Sequence, residues 1–216
     1  MTEFYVLQDS HDIEKTTTAF HPVARKSAPG PKCQTCGEFV GSLRWLPPHR
    51  VELELMGLAF ADISFGGPSD FLVSERFKKL YEESHLRGLE GFESVEITKV
   101  KIRRVKTYIS PPKYFHVTVP RDTARIDDWA SGLIREGGPS TCLDCGSTGA
   151  IKYDHIVLME DTWSGNDAFY ARGLPGTVLV SNRFAEFYRS NQITGGRLVR
   201  AAEYGYDRDD YSWLRK

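Results

Sequence analysis

The sequence has no run of apolar residues long enough to cross a membrane, and its positive and negative charges nearly cancel. With 28 Lys and Arg against 29 Asp and Glu in 216 residues, the chain lacks the overall positive charge that drives binding to a phosphate backbone. A membrane span needs about 18 or more consecutive apolar residues, and the N-terminal stretch has neither the charged nor the apolar region of a signal peptide. We therefore expect a cytoplasmic protein that binds neither membranes nor nucleic acids in general.

Catalytic motifs are also missing. The six histidines are scattered and form no zinc-protease pair at helical spacing. The sequence contains no GxSxG nucleophile elbow, no phosphate-binding loop and no dinucleotide-binding GxGxxG. We therefore expect a protein without enzymatic activity.

Cysteine is scarce, and all four cysteines fall into two Cys-x-x-Cys-Gly stretches, residues 33–37 and 142–146. Stable disulfides are rare in a reducing compartment, so such pairs indicate metal ligands or a redox site. A thioredoxin-like site needs a helix that starts at the first cysteine, whereas a glycine after the second cysteine favours a tight turn. We therefore predict two turn knuckles that share one zinc ion per chain through four thiolates. The predicted ligands are Cys33, Cys36, Cys142 and Cys145.

Alternatives to the shared zinc site remain open. Two separate metal sites would each need a further ligand, such as His49 or His155. The cysteines would otherwise be reduced or redox-active thiols. Asp154 and His155, beside the second knuckle, would activate water only on a metal with an open position, and zinc saturated by four thiolates has none.

An internal repeat accounts for the long distance between the two knuckles. Residues 68–88, PSDFLVSERFKKLYEESHLRG, align without gaps over residues 175–195, PGTVLVSNRFAEFYRSNQITG, and share Pro, Leu, Val, Ser, Arg, Phe, Tyr and the final Gly. In each copy an apolar run predicts a buried strand, and Ser74 or Ser181 follows it as a helix N-cap. Aromatic residues at helical spacing then predict one buried stripe on each helix.

The fold class follows from these units and from further strand signals. Alternation in Val51–Leu55 and Tyr114–Val119 predicts half-buried strands. A shift of phase near Lys99 and Arg103-Arg104 indicates bulged or bent antiparallel pairing. We predict an α+β fold of mostly antiparallel strands with few helices, an internal duplication and a shared zinc site that joins the copies. The first half would be residues 1–120 and the second 121–216, each with one knuckle and one strand-helix unit, packed as one compact structure.

Several of these features occur together in one bacterial family. They are the paired CxxCG knuckles, the early strand FYVL, an aromatic residue after the first knuckle and the late segment PGTVLVSNRFAEFYR. With them the chain resembles, over nearly its whole length, the double-CXXCG motif family, which includes SitI-type immunity proteins that protect a cell from a toxin exchanged between kin. The resemblance implies cysteine-bound zinc and a cytoplasmic, non-enzymatic protein that works by binding.

We therefore expect an immunity protein that neutralises a cognate bacterial toxin. The main alternative is a zinc-stabilised regulatory adaptor that binds a cytoplasmic signalling protein. A nucleic-acid-binding module is favoured only by the basic run Lys99–Lys106, since zinc knuckles occur in RNA-binding modules. Basic and apolar residues alternate at the start of this run, as they do in an amphipathic strand with one face in water. We therefore expect a protein partner rather than a nucleic acid. The oligomeric state does not follow from the sequence.

Overall fold

Strands dominate the computed structural model, which describes residues 2–9, 18–41, 43–67, 70–103, 109–136, 142–146 and 149–208. These residues form two short α-helices, and most strand pairs are antiparallel, so the predicted α+β class is confirmed. No helix in this part of the chain is both long and apolar enough to span a membrane. The strands are β1 (Phe4–Asp9), β2 (Thr18–Pro22), β3 (Lys26–Ala28), β4 (Arg44–Leu46), β5 (His49–Leu55), β6 (Ile63–Gly67), β7 (Asp70–Ser74), β8 (Glu90–Ile102), β9 (Tyr114–Thr118), β10 (Arg121–Arg125), β11 (Ile134–Arg135), β12 (Ala150–Tyr153), β13 (Ala168–Arg172), β14 (Val178–Ser181), β15 (Gly196–Arg200) and β16 (Tyr206–Asp207). The helices are α1 (Glu75–Glu83) and α2 (Asn182–Ser190), and a 3₁₀ turn covers Ala201–Glu203.

Six strands close into a barrel in the order β2-β5-β8-β9-β7-β6. Within it β5 runs parallel to β8 and β2 runs parallel to β6, while the other described pairs are antiparallel. The register between β5 and β8 shifts between Ile97 and Lys99. The predicted irregularity near Lys99 is therefore confirmed. The antiparallel pairing predicted there is wrong, because Lys99 pairs with Glu52 on the parallel strand β5, and the antiparallel contact with β9 is made by residues 90–94.

A five-stranded sheet in the order β10-β13-β14-β1-β15 packs beside the barrel. Its β1 comes from the start of the chain and pairs antiparallel with both β14 and β15. The sheet thus combines strands from both predicted halves. The division after residue 120 stays a prediction.

The two repeated segments have the same local structure where it is described. In the first, β7 leads into α1, and Ser74 Oγ accepts a hydrogen bond from the Phe77 N–H at 3.1 Å. In the second, β14 leads into α2, and Ser181 Oγ accepts from the Phe184 N–H at 3.2 Å. Both N-cap predictions are confirmed. Residues 68 and 69 of the first segment lie outside the described residues.

A buried aspartate fixes the start of each helix. Asp62 accepts a hydrogen bond from Ser74 Oγ at 2.9 Å and pairs with Arg76 at 2.6 Å. In the second unit Asp167 makes the same two contacts: it accepts a hydrogen bond from Ser181 Oγ at 2.7 Å and pairs with Arg183 at 3.3 Å. Both aspartates lie outside the aligned segments, so the sequence comparison did not identify them.

Each unit also reaches across to the other. Arg76 Nη2 donates a hydrogen bond to the carbonyl oxygen of Asn191, just after α2, at 2.6 Å. In return, Arg183 Nη2 donates to the carbonyl oxygen of His85, just after α1, at 3.5 Å. Because the contacts are reciprocal, the two units pack as a pair over one core. This equivalence concerns structure and contacts, and the internal duplication itself stays a prediction. The buried aromatic residues that the two helices contribute to this core are Phe77, Tyr81, Phe184 and Phe187.

Replacing Phe77 or Phe184 with alanine is expected to destabilise the fold strongly. Both rings are fully buried, and their centroids lie 6.4 Å apart. We expect each substitution to lower the free energy of unfolding by about 3–5 kcal/mol, measured by denaturant unfolding. Phe39→Ala is the matched control, because that ring is exposed, and its cost should stay below about 1 kcal/mol. A loss of less than about 1 kcal/mol for both Phe77→Ala and Phe184→Ala would show that the aromatic stripes of the helices do not form part of the core.

Candidate metal centre

The first knuckle lies at the tip of the two-stranded ribbon formed by β3 and β4. Its Gly37 N–H donates to the carbonyl oxygen of Cys33 at 2.9 Å, and the Cys33 N–H donates to the carbonyl oxygen of Glu38 at 2.8 Å. Gly37 has a φ of 77°, in the left-handed region that favours glycine. The predicted turn is confirmed at this knuckle.

The second knuckle lies between β11 and β12 and uses the same turn. Its Gly146 N–H donates to the carbonyl oxygen of Cys142 at 3.0 Å, and Gly146 has a φ of 61°. A Cβ atom on Gly146 would lie 3.1 Å from the Cα of Gly173. The glycine therefore also lets this knuckle pack closely against the chain that follows β13.

The fold brings the four cysteines of the two knuckles into one cluster. Their Sγ atoms all lie within 4.8 Å of one another, with 3.8 Å between Cys33 and Cys142 and 3.5 Å between Cys36 and Cys145. Four sulfur ligands at about 2.3 Å from a central ion lie about 3.8 Å apart in a tetrahedron, whereas a disulfide needs about 2.05 Å. None of the four cysteines forms a disulfide. The cluster can therefore hold a metal ion.

The cluster is closed on one side and open on the other. Cys33 and Cys145 are buried, Cys142 is half-buried and Cys36 is exposed. Burial lowers the local dielectric, which strengthens the attraction between thiolates and a cation. The exposed Cys36 side gives the ion a path into the site.

Three arginines hold the second knuckle by its carbonyl groups. They come from β10 and β13, which are parallel neighbours, and Arg125 lies opposite Arg172 in their register. Four thiolates around a divalent cation carry net negative charge, which nearby guanidinium groups offset. The contacts are Arg121 to the Cys145 oxygen at 3.4 Å, Arg125 to the Leu143 oxygen at 2.7 Å and Arg172 to the Asp144 oxygen at 3.2 Å.

The Asp144 carboxylate links the two knuckles. Its Oδ2 accepts hydrogen bonds from the Cys33 thiol at 3.5 Å and the Thr35 hydroxyl at 3.2 Å, and its Oδ1 pairs with Arg172 at 3.0 Å. These groups, the Cys33 thiol foremost, hold the pKa of Asp144 below its usual value. The carboxylate is therefore ionised at neutral pH and fixes the position of the second knuckle against the first.

The pKa values of two of the clustered thiols, Cys142 and Cys36, shift in opposite directions. The backbone N–H of Cys145, assisted by that of Asp144, lowers the pKa of Cys142 to about 7. At Cys36 the Glu38 backbone N–H lowers the pKa, but desolvation and hydrogen bonds with the other thiols outweigh it and raise the pKa to about 12. Four thiolates this close repel one another, so a cation is needed for all of them to be ionised together.

The sequence identified the cluster but not the groups that surround it. Neither His49 nor His155 belongs to the cysteine cluster, and neither does Asp154. The arginines and Asp144 carry no motif, since arginine and aspartate are common in any chain. Only the register of β10 and β13 places the arginines beside the knuckle.

The described part of the basic run ends at Arg103, and residues 104–106 lie outside the described residues. Lys101 Nζ pairs with Glu52 at 2.6 Å, and Arg103 Nε pairs with Glu54 at 2.7 Å. The glutamates come from the neighbouring strand β5, and contact with Lys101 lowers the pKa of Glu52. These cross-strand ion pairs fit the interpretation of the basic run as the solvent-exposed face of an amphipathic strand.

No protein-family model matches the chain, and no curated protein sequence matches it significantly. Membership of the double-CXXCG family therefore stays a prediction based on the features of the sequence. The geometry of the cysteine cluster does not depend on that resemblance.

Proposed function

We propose that the four cysteines bind one structural Zn²⁺ ion per chain. Four clustered thiols are the donor set of structural zinc sites, and the distances between them fit a tetrahedron. When bound, the ion would act as a cross-link, because four thiolates leave no position for a water molecule. It would join residues 33–36 to residues 142–145, which lie far apart in the sequence.

We further propose that the protein acts in the cytoplasm by binding another protein and has no enzymatic activity. The observation that carries this proposal is the exposure of large apolar side chains on the knuckles themselves. Leu143, inside the second Cys-x-x-Cys stretch, exposes 81% of its surface, and Phe39, just after the first, exposes 53%. Exposed apolar residues on a rigid support are typical anchors of protein interfaces.

We infer that the partner is a bacterial toxin, which the chain neutralises as its cognate immunity protein. The choice of a toxin rests on the resemblance to the double-CXXCG family. Saturation of the metal by thiolates is consistent with inhibition by stoichiometric binding rather than by turnover. The zinc would keep the two knuckles side by side and so preorganise the binding surface.

Replacing Leu143 with aspartate tests this proposal. The partner is retained from a lysate of the native bacterium on the immobilised chain, identified, and expressed with and without the chain. We expect the partner to arrest growth when expressed alone and the chain to restore growth. A charge at the centre of an apolar contact removes a hot spot worth about 2 kcal/mol or more, so Leu143→Asp should weaken binding roughly thirtyfold and abolish protection.

Leu58→Asp is the matched control. Leu58 is similarly apolar and exposed but lies after β5 on the barrel, so this variant should keep full affinity and protection. A partner that does not affect growth would contradict the immunity assignment and favour the adaptor. Equal binding by the two variants would show that the knuckles are not the interface.

A further inference from the structure

A second cluster of metal-ligating side chains lies at one end of the barrel. His49 begins β5, Glu93 lies on β8 and His116 lies on β9. Glu93 pairs directly with His116 across the antiparallel strands, and β5 borders β8 on its other side. Each residue offers a ligand atom, and these atoms lie within 4.8 Å of one another.

The two imidazoles are buried, whereas the carboxylate reaches solvent. The side chain of His49 is 1% exposed, and that of Glu93 is 51% exposed. The rings of His49 and His116 have centroids 4.7 Å apart, and the Glu93 carboxylate contacts His49 Nε2. The cluster is therefore a fixed pocket of nitrogen donors with an accessible carboxylate at its edge.

Two buried nitrogens at this end of the barrel have no hydrogen-bond partner among the residues that the structure describes. They are His49 Nδ1 and Trp45 Nε1. The Trp45 ring contacts both histidine rings edge-on, at centroid distances of 4.7 and 5.2 Å. Buried polar groups in native proteins are nearly always bonded, so a purely structural histidine-glutamate contact does not account for this cluster. A hydrated ion would supply both a Lewis acid and water oxygens.

The charges around the cluster suit a cation. Glu93 is an acidic group, and Arg25, the positive group that faces His116, is neutralised by an ion pair with Asp70. A metal ligand uses the lone pair of an unprotonated imidazole, and a bound ion stabilises that form of the ring.

We propose that His49, Glu93 and His116 form a second metal site, which takes a divalent transition-metal ion of the zinc, cobalt or nickel type. Two imidazoles and one carboxylate are the donors of sites with three protein ligands and an open position for water. This site differs from the cysteine cluster in its donors and in its open coordination. Trp45 belongs to the ribbon that carries the first knuckle, so the two sites share a structural element.

Calorimetric titration of the reduced, chelator-stripped chain with Zn²⁺ tests the second site. We expect the unmodified chain to bind two equivalents of Zn²⁺ and Cys33→Ser to lose the one held by the cysteines. Glu93→Gln keeps the shape of the side chain and removes its charge, so it should bind the second equivalent at least about tenfold more weakly. Glu90→Gln, at an exposed position of the same strand, is the matched control and should bind both equivalents like the unmodified chain.

Circular dichroism establishes that each variant is folded before the affinities are compared. Since Glu93 is half exposed, its replacement should leave the fold intact, and His116→Phe, which keeps a ring in the core, should lose the second equivalent entirely. A chain that binds only the equivalent removed by Cys33→Ser would overturn the proposal. Equal affinity of Glu93→Gln and Glu90→Gln for the second equivalent would also overturn it, while leaving the cysteine-bound zinc untouched.

Discussion

Replacing Cys36 with serine is expected to lower the melting temperature as much as replacing Cys145, although only the Cys145 side chain is buried. As an unbound thiol, the exposed Cys36 would tolerate serine with little effect. As one of four zinc ligands, it supplies a bond that the other residues cannot replace. Equal effects at an exposed and a buried position therefore indicate a shared ion.

The expected effect is large because, apart from the hydrogen bonds of Asp144, only a small apolar cluster holds the two knuckles together. That apolar cluster contains Cys33, Cys142, Cys145 and Val40. Structural zinc contributes apparent binding energies of about 10–16 kcal/mol in small zinc fingers. The barrel and the five-stranded sheet each have an apolar cluster of their own and share a third, away from the knuckles. We therefore expect partial loss of structure and a fall in melting temperature of at least about 10 °C.

Calorimetry and elemental analysis together check this expectation. Each variant should contain one zinc equivalent less than the unmodified chain, and removal of zinc by a chelator should reproduce the lower melting temperature. Retention of that zinc and of full stability by Cys36→Ser would exclude Cys36 as a ligand. The shared four-cysteine site would then be wrong.

The strand-helix units could be predicted because their signals are local. Ser74 and Ser181 cap their helices within three residues, and the aromatic stripe repeats within two helical turns. Parallel pairing has no such local signal, so the contact of β5 with β8 and the closure of the barrel could not be predicted. The insertion of β1 between β14 and β15 likewise joins segments that are remote in the sequence.

The cysteine cluster could be predicted because cysteine is rare and its spacing is characteristic. Its surroundings could not, since Arg172 and Asp144 are ordinary residues until the fold places them at 3.0 Å. The same holds for His49, Glu93 and His116, which show no motif spacing. Strand register alone brings Glu93 opposite His116.

Replacing Gly195 or Gly88 with alanine is expected to cost at least about 4 kcal/mol of unfolding free energy each. Both glycines have positive φ, 96° and 115°, in a region that alanine rarely adopts. A Cβ atom would also lie 1.9 Å from the Ile63 carbonyl oxygen at Gly195, and 2.1 Å from the Ala168 carbonyl oxygen at Gly88. Backbone atoms cannot move aside as a flexible side chain can, so the overlap must push each unit away from the strand it contacts, β13 for Gly88 and β6 for Gly195.

Gly91→Ala separates the conformational cost from the packing cost. Gly91 has a φ of 89°, but the nearest atom to a Cβ there would be Thr118 Oγ1 at 3.8 Å, so alanine should cost only the backbone strain of about 1–2 kcal/mol. Denaturant unfolding of the three variants compares these costs. Gly88 of the first unit contacts β13, the strand that precedes the second unit, and Gly195 of the second unit contacts β6, the strand that precedes the first. Similar large losses at both glycines would therefore show that this reciprocal packing stabilises the core from each side. A loss at Gly88 and Gly195 no greater than at Gly91 would mean that the two units do not pack this closely in solution.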